Sequence, residues 1–342
     1  FLAANFSLSQ VAPLQMKNTQ VMNRRNWLVA CVAAVMLGCG GGIAPEGDGT
    51  GDGNGSASAG DGGKLKVTAT VNMVGDLVRQ VGGEHVEVTE LMGPGVDPHL
   101  YQATQADLSK LRKADVILYV GMHLEGKIQD TLEKMNGQGR KHSVSVTKDI
   151  DKTTLLKDPE AAEYPDPHIW FEVPLWAQTV DVVVETLSKA DPANKADYEN
   201  KGAAAKDKMT ALQTWVTDTI KDLPEEKRIL VTSHDAYSYF GRAYGFKVVG
   251  LQGISTVSEA GLADRTKLVD FIKEQKVKAI FVETSVSPEA IKAIASDAGV
   301  VIGGELFSDA MGKLGQIEHG NDVGTYEGMI KHNVSTIVNA LK

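Results

Sequence analysis

The 342-residue chain holds only two cysteines, Cys31 and Cys39, and both lie near its beginning. No disulfide and no thiolate ligand is available downstream of them. Any metal site in the body of the chain must therefore be built from nitrogen and oxygen donors. Positive charge is also scarce, with a formal net charge of −9. Such an acidic balance argues against nucleic acid as a partner and is compatible with cations. The apolar run at 27–37 is too short to span a bilayer. No Gly-x-x-x-x-Gly-Lys-Ser/Thr stretch is present, so nothing reads as a nucleotide-phosphate loop.

The beginning of the chain reads as an address. From Met22 the sequence runs Met-Asn-Arg24-Arg25-Asn, then the apolar segment 27–37, then Gly38-Cys39. This is the order of a signal peptide: basic region, apolar region and small-residue cleavage site. Residues 1–21 lie upstream of that start and read as an over-extended frame. Met36-Leu37-Gly38-Cys39 resembles a bacterial lipobox, which makes Cys39 the expected lipidated terminus and membrane anchor. Plain cleavage nearby is the alternative, and a twin-arginine signal is a weaker one. Removing 1–38 takes away Lys17, Arg24 and Arg25 and no acid, which moves the formal charge to −12. Residues 40–63 are almost entirely Gly, Asp, Ser and Ala and are expected to form a tether. Its span at random-coil dimensions is roughly 25–30 Å.

Beyond the tether, short β-rich runs alternate with helical patterns. Strands are expected at 65–71, 86–92, 115–120 and 143–146, with helices at 72–81, 104–113 and 124–136 between them. A helix at 174–189 follows. Asp191-Pro192 then opens a much longer one, about 193–222, ended by Leu223-Pro224. Its middle is too polar for a buried helix, although Met209, Leu212 and Val216 form a narrow apolar stripe. The βα pattern then restarts, with strands at 228–232, 247–251, 279–283 and 300–306 and a closing helix at 326–341. Alternation of this kind implies parallel βαβ units whose functional loops lie at the carboxyl ends of the strands. About 300 residues after processing suggest two domains.

One five-residue pattern occurs twice: Asp97-Pro98-His99-Leu100-Tyr101 and Asp166-Pro167-His168-Ile169-Trp170. Proline stiffens each corner and keeps the preceding Asp out of helix. Each His is presented beside a carboxylate able to orient it, as metal-ligating imidazoles are. Ser233-His234-Asp235 and Phe307-Ser308-Asp309 fall at other expected strand ends. Three adjacent residues such as Ser233-His234-Asp235 cannot converge as a catalytic triad. Asp97, Asp166, Glu283 and Glu305 lie next to the expected functional loops, where they can orient imidazoles. The other histidines receive ordinary readings: His85 in a turn, His142 in a basic loop and His332 on the last helix. His123 and His319 are weak candidates for the cleft mouth.

These motifs match one family. Gly95 to Thr104, Asp166 to Phe171, Thr232-Ser233-His234-Asp235-Ala236-Tyr237 and Gly304 to Asp309 resemble the cluster A-I (TroA-like) solute-binding lipoproteins of ABC importers for zinc and manganese. The resemblance covers about 64–342. It implies an α/β fold of two (βα)4 lobes with parallel sheets, joined by one long helix, with the metal in the cleft between lobes. The implied division is 1–38 leader, 39–63 lipidated Cys and tether, 64–191 N-terminal lobe, 192–223 linking helix and 224–342 C-terminal lobe. The implied ligands are His99 and His168 from one lobe and His234 and Asp309 from the other. The ligand carried is then Zn²⁺ or Mn²⁺, and the partners an ABC permease and its ATPase, with no nucleic acid. The protein is expected to act as a monomer outside the cytoplasm and to have no enzymatic activity. Many relatives carry Glu at the position of His234, and many dedicated zinc carriers have a His-rich insertion that 121–165 lacks.

Three imidazoles and one carboxylate fill a four-coordinate ion, whereas a catalytic zinc leaves one position open. That donor set favours carriage over a metallohydrolase on the same scaffold; an adhesin with a structural metal is a further alternative, favoured only if docking to a permease is absent. The donor set also favours Zn²⁺ over Mn²⁺, which prefers more oxygen donors. Competition from protons is expected as pH falls through roughly 6.5, the ordinary value for His.

Overall fold

The computed structural model describes residues 63–135, 142–157 and 164–342. The leader, Cys39 and the tether up to residue 62 lie outside the described residues. The first half alternates as expected: β1 (Leu65–Ala69), α1 (Asn72–Gly82), β2 (Val86–Glu90), α2 (Gln105–Lys113), β3 (Val116–Tyr119), α3 (Gly126–Met135) and β4 (His142–Ser145). The four strands form one parallel sheet in the order β2-β1-β3-β4. All four residues of β3, Val-Ile-Leu-Tyr, are buried, as a strand covered by helices on both faces requires. α1 turns Met73, Val74, Leu77, Val78 and Val81 inward, the 3–4 spacing of one helical face. α2 starts one residue later than expected because Thr104 is its cap. Thr104 Oγ1 accepts the Asp107 N–H, and the Asp107 carboxylate accepts the Thr104 N–H. His142 opens β4 rather than lying in a loop.

Next come α4 (Val173–Trp176), α5 (Thr179–Ala190) and α6 (Lys195–Ile220). The helix expected at 174–189 is thus two. The Thr179 hydroxyl takes the Trp176 carbonyl at 2.7 Å, which interrupts the helical ladder between them. α6 has 26 residues and is roughly 39 Å long at 1.5 Å per residue. A 3-10 turn, Pro192–Asn194, precedes it. Its buried stripe is longer than the sequence suggests: Tyr198, Gly202, Ala205, Met209, Leu212, Val216 and Ile220 repeat every three or four residues. Gly202 contributes by smallness rather than hydrophobicity, since a Cβ there would collide with Val184 of α5. Among the described residues no helix is long and apolar enough to cross a membrane.

The second half contains β5 (Ile229–His234), α7 (Ser238–Tyr244), β6 (Lys247–Gln252), α8 (Leu262–Glu274), β7 (Ala279–Glu283), α9 (Glu289–Ala298) and β8 (Val301–Leu306). A small hairpin, β9 (Ile317–Glu318) and β10 (Asn321–Asp322), precedes the closing α10 (Tyr326–Leu341). β5-β6 and β7-β8 are parallel pairs, and β5 lies beside β7. The hairpin was not expected; the Asp322 carboxylate ties it by accepting the N–H groups of Gly315 and Gly324. The architecture is α/β, with one four-stranded parallel sheet, two parallel strand pairs and one long helix that packs on α1, α4, α5 and α10. The main apolar core runs from Val67 through Trp170 and Trp176 to Leu341. A smaller core around Val231, Ile272 and Ile280 joins β5, β6 and β7 to α8 and α9. The described residues therefore pack as one unit.

Candidate metal centre

Three connecting segments and the carboxyl end of one strand meet in the interior. His99 follows β2, His168 follows β4, His234 is the last residue of β5, and Asp309 lies three residues past β8. His168, His234 and Asp309 are fully buried and His99 is 4 % exposed. Their donor atoms lie within 4.8 Å of one another, forming one of two groups of three or more potential ligands among the described residues. His168 Nε2 is 3.2 Å from Asp309 Oδ1, and His234 Nε2 is 3.2 Å from Asp309 Oδ2. His99 Nε2 is 3.4 Å from His168 Nε2 and 3.9 Å from Asp309 Oδ2. A tetrahedral zinc with bonds of about 2.0–2.1 Å separates its donors by about 3.3 Å. Three of these four separations match, and the long one belongs to His99, at the more open edge.

Each imidazole has its own support. Asp166 Oδ1 accepts both the His168 N–H, at 2.9 Å, and the ring Nδ1, at 2.8 Å. This is a carboxylate–histidine pair that turns Nε2 towards the centre. Glu283, at the end of β7, accepts the His234 N–H at 2.9 Å and places its other oxygen 2.5 Å from Nδ1 as an ion pair. Asp97 behaves differently although it stands in the same motif. It accepts the His99 N–H at 2.8 Å, while its second oxygen accepts the Thr256 hydroxyl at 2.6 Å. Glu305 is exposed, and the contact it offers is its carbonyl, 3.0 Å from His332 Nε2. Three of the four supporting acids suggested by sequence thus touch a ligand loop and one does not.

Burial and charge set the protonation states. Burial depresses the His99 imidazole to about 3, against the pull of Asp309. Burial also opposes a charge on His168, but Asp166 and Asp309 outweigh it and raise that imidazole to about 9. At His234 burial is likewise outweighed, here by Glu283 and Asp309, and its imidazole lies well above the usual range. Burial would raise Asp309, yet His234 and His168 hold it well below the usual carboxylate range. Neither Asp309 oxygen is aligned with a hydrogen-bond donor, and His234 Nε2 also lacks an aligned partner. Buried polar atoms are rarely left so. A cation accepting all of them at once satisfies the set, and the donors fit Zn²⁺ or a similar divalent ion.

The remaining histidines stay apart from this group. His85 pairs with Asp197 at 2.8 Å and lies edge-on to Tyr198. His319 stacks on His332 at 5.3 Å. His123 is exposed and stacks on Tyr164 at 4.3 Å. Sequence reasoning missed Thr256, Asn72 and Asn333, which hold the ligand loops. None lies in a motif, and a buried Asn at a helix start reads as an ordinary cap.

Over residues 67–340 the sequence matches the family described as zinc-uptake complex component A, periplasmic. It is 48 % identical over 284 residues to the manganese-binding lipoprotein MntA of Bacillus subtilis (strain 168), covering 82 % of this chain and 90 % of that protein. It is 44 % identical over 284 residues to the zinc-binding protein TroA of Treponema pallidum (strain Nichols), covering 82 % and 89 %. The fold is similar to the solved periplasmic zinc binding protein TroA from Treponema pallidum, with a TM-score of 0.76 and 43 % identity. That match covers 82 % of this chain and 99 % of the other.

Proposed function

The chain belongs to the family of periplasmic zinc-uptake component A proteins, and we propose that it captures Zn²⁺ or Mn²⁺ outside the cytoplasm and delivers the ion to an ABC permease and its ATPase. The ligands in this reading are His99, His168, His234 and Asp309. One observation carries it: three buried Nε2 atoms surround a buried carboxylate whose two oxygens have no aligned hydrogen-bond donor. Relatives named for manganese and for zinc are similar to this chain at 48 % and 44 % identity, so the ion must be read from the donor set rather than from the family. Three nitrogens and one carboxylate favour Zn²⁺. Four protein ligands leave a four-coordinate ion no open position, which favours carriage over hydrolysis.

The same reading divides the chain into an N-terminal lobe at 64–191, a linking helix region at 192–223 and a C-terminal lobe at 224–342. Cys39 carries lipid and holds the protein at the membrane as a monomer, with 40–63 as the tether. Metal analysis of protein purified without added metal, with competitive Zn²⁺ and Mn²⁺ titration, tests the function. Alanine at any one of the four ligands is expected to weaken binding by orders of magnitude while the apo fold persists. Wild-type affinity in the quadruple variant would overturn the assignment.

A further inference from the structure

The Asp309 oxygens lie 3.2 Å from His168 Nε2 and from His234 Nε2 without an aligned hydrogen bond, and their placement there depends on the loop that carries Asp309. That loop is pinned two residues to either side of Asp309, each time by an asparagine. On one side, the Phe307 N–H donates to Asn333 Oδ1 at 3.0 Å and Asn333 Nδ2 donates to the Phe307 carbonyl at 2.7 Å. On the other, the Met311 N–H donates to Asn72 Oδ1 at 2.9 Å and Asn72 Nδ2 donates to the Met311 carbonyl at 2.9 Å. Each amide thus closes a two-bond ring on one residue's backbone, as a neighbouring strand would. Between them, Trp170 Nε1 donates to the Ser308 carbonyl at 3.0 Å.

The two asparagines differ in origin. Asn333 comes from α10, in the same half as Asp309, whereas Asn72 is the first residue of α1, in the half that carries His99 and His168. Asn is a residue type that ordinarily caps a helix start. Here Val71 is the N-cap and makes no side-chain bond, and the Asn72 amide goes to Met311 instead. Asn72 is 3 % exposed and Met311 1 %. A buried amide is tolerated when both its donor and its acceptor are used, and at Asn72 both are used on one residue. One turn along α1, Asp76 accepts the Tyr326 N–H at 3.2 Å, a second tie to the same half that makes no bond to the Asp309 loop; the Tyr326 hydroxyl donates instead to the Trp170 carbonyl at 2.7 Å.

We propose that Asn72 is a positioning residue for the metal centre. It fixes the Asp309 loop to the half that supplies His99 and His168, and so sets how fast a bound ion leaves. This rests on Asp309 being a ligand. The Asp76 tie provides the control, because it joins the same helix to the same half without reaching the loop.

The test compares wild type with Asn72→Ala, Asp76→Ala and Asp309→Ala. Three readouts are taken: apo melting temperature, Zn²⁺ release rate into excess chelator, and the visible absorption of bound Co²⁺, which reports coordination geometry. Asn72→Ala is expected to speed release at least tenfold and to alter the Co²⁺ spectrum. Asp76→Ala is expected to lower the apo melting temperature and leave both metal readouts unchanged. Asn72→Ser, a milder change, carries the test if the alanine variant does not fold. Wild-type release and spectrum in the Asn72 variants, with binding lost in Asp309→Ala, would overturn the inference alone. Equal acceleration by Asp76→Ala would also overturn it, because the tie would then be structural only. Wild-type binding in Asp309→Ala would overturn the ligand assignment beneath it.

Discussion

Raising the pH should tighten metal binding well above the ordinary titration range of histidine. Without metal, His168 is held protonated up to about 9 by Asp166 and Asp309. His234 is raised well above 6.5 by Glu283 and Asp309. An incoming cation must displace those protons before it can use either Nε2. At pH 7.5 the proton on His168 alone lies about 1.5 units below its pKa. That opposes binding by about 2 kcal/mol, a factor of roughly 30 in apparent affinity. The apparent Kd should therefore fall about tenfold per pH unit between 6.5 and 9, and more steeply if His234 titrates in the same window. His99, depressed to about 3, adds no competition there. The unliganded protein should show the opposite trend. A raised His pKa stabilises the fold fully below 6.5, and the contribution fades as pH rises through about 9. A gap of about 2.5 units in a fully buried group makes this about 3 kcal/mol. Chelator-competition titrations at pH 6.5, 7.5 and 8.5 measure the affinity slope. Calorimetry in buffers of different ionisation heat counts protons and should find at least one released near pH 7.5. Affinity that is flat above pH 7, with no proton release, would refute the reasoning. A midpoint near 6.5 is what unperturbed imidazoles would have produced.

His234→Glu adds an oxygen donor and should move the ratio of Zn²⁺ to Mn²⁺ affinity towards Mn²⁺. Because Glu283 sits 2.5 Å from His234 Nδ1, the single variant sets two buried carboxylates face to face. His234→Glu combined with Glu283→Gln removes that repulsion, and an unchanged ion ratio in both variants counts against the donor argument. Cys39→Ala should release the protein from membranes in soluble or uncleaved form, and fatty-acid labelling that survives the change would rule out lipidation at Cys39.

Local chemistry made much of the site readable. Pro98 and Pro167 restrict the backbone beside His99 and His168 through bonds that need no tertiary partner. The βα alternation puts functional loops at the carboxyl ends of strands, and the candidate ligands His99, His234 and Asp309 lie there, whereas His168 comes well after β4. Helix limits drifted where a side chain intervened. Thr179 divides the segment expected at 174–189, and Thr104 caps α2 instead of joining it. The polar middle of α6 misled because Gly202 faces inward and allows a close approach to α5, which hydrophobicity alone does not register.

By itself the sequence determined the kind of donors, their order along the chain and the type of corner that presents them, because those properties depend on residue identity and near neighbours. Tertiary packing decided the partners. Asp97 and Asp166 occupy identical motifs, yet Asp166 takes its histidine's ring nitrogen while Asp97 reaches Thr256, 159 residues away. Met311 closes its ring of hydrogen bonds with Asn72, 239 residues away. A carboxylate or amide has several rotamers of similar energy, and the one adopted depends on which groups the rest of the chain brings within about 3 Å. The protonation of His168 and the depression of His99 follow from the same cause. Burial lowers both and Asp309 raises both; they diverge because Asp166 stands against His168 alone, while His168 and His234 further depress His99.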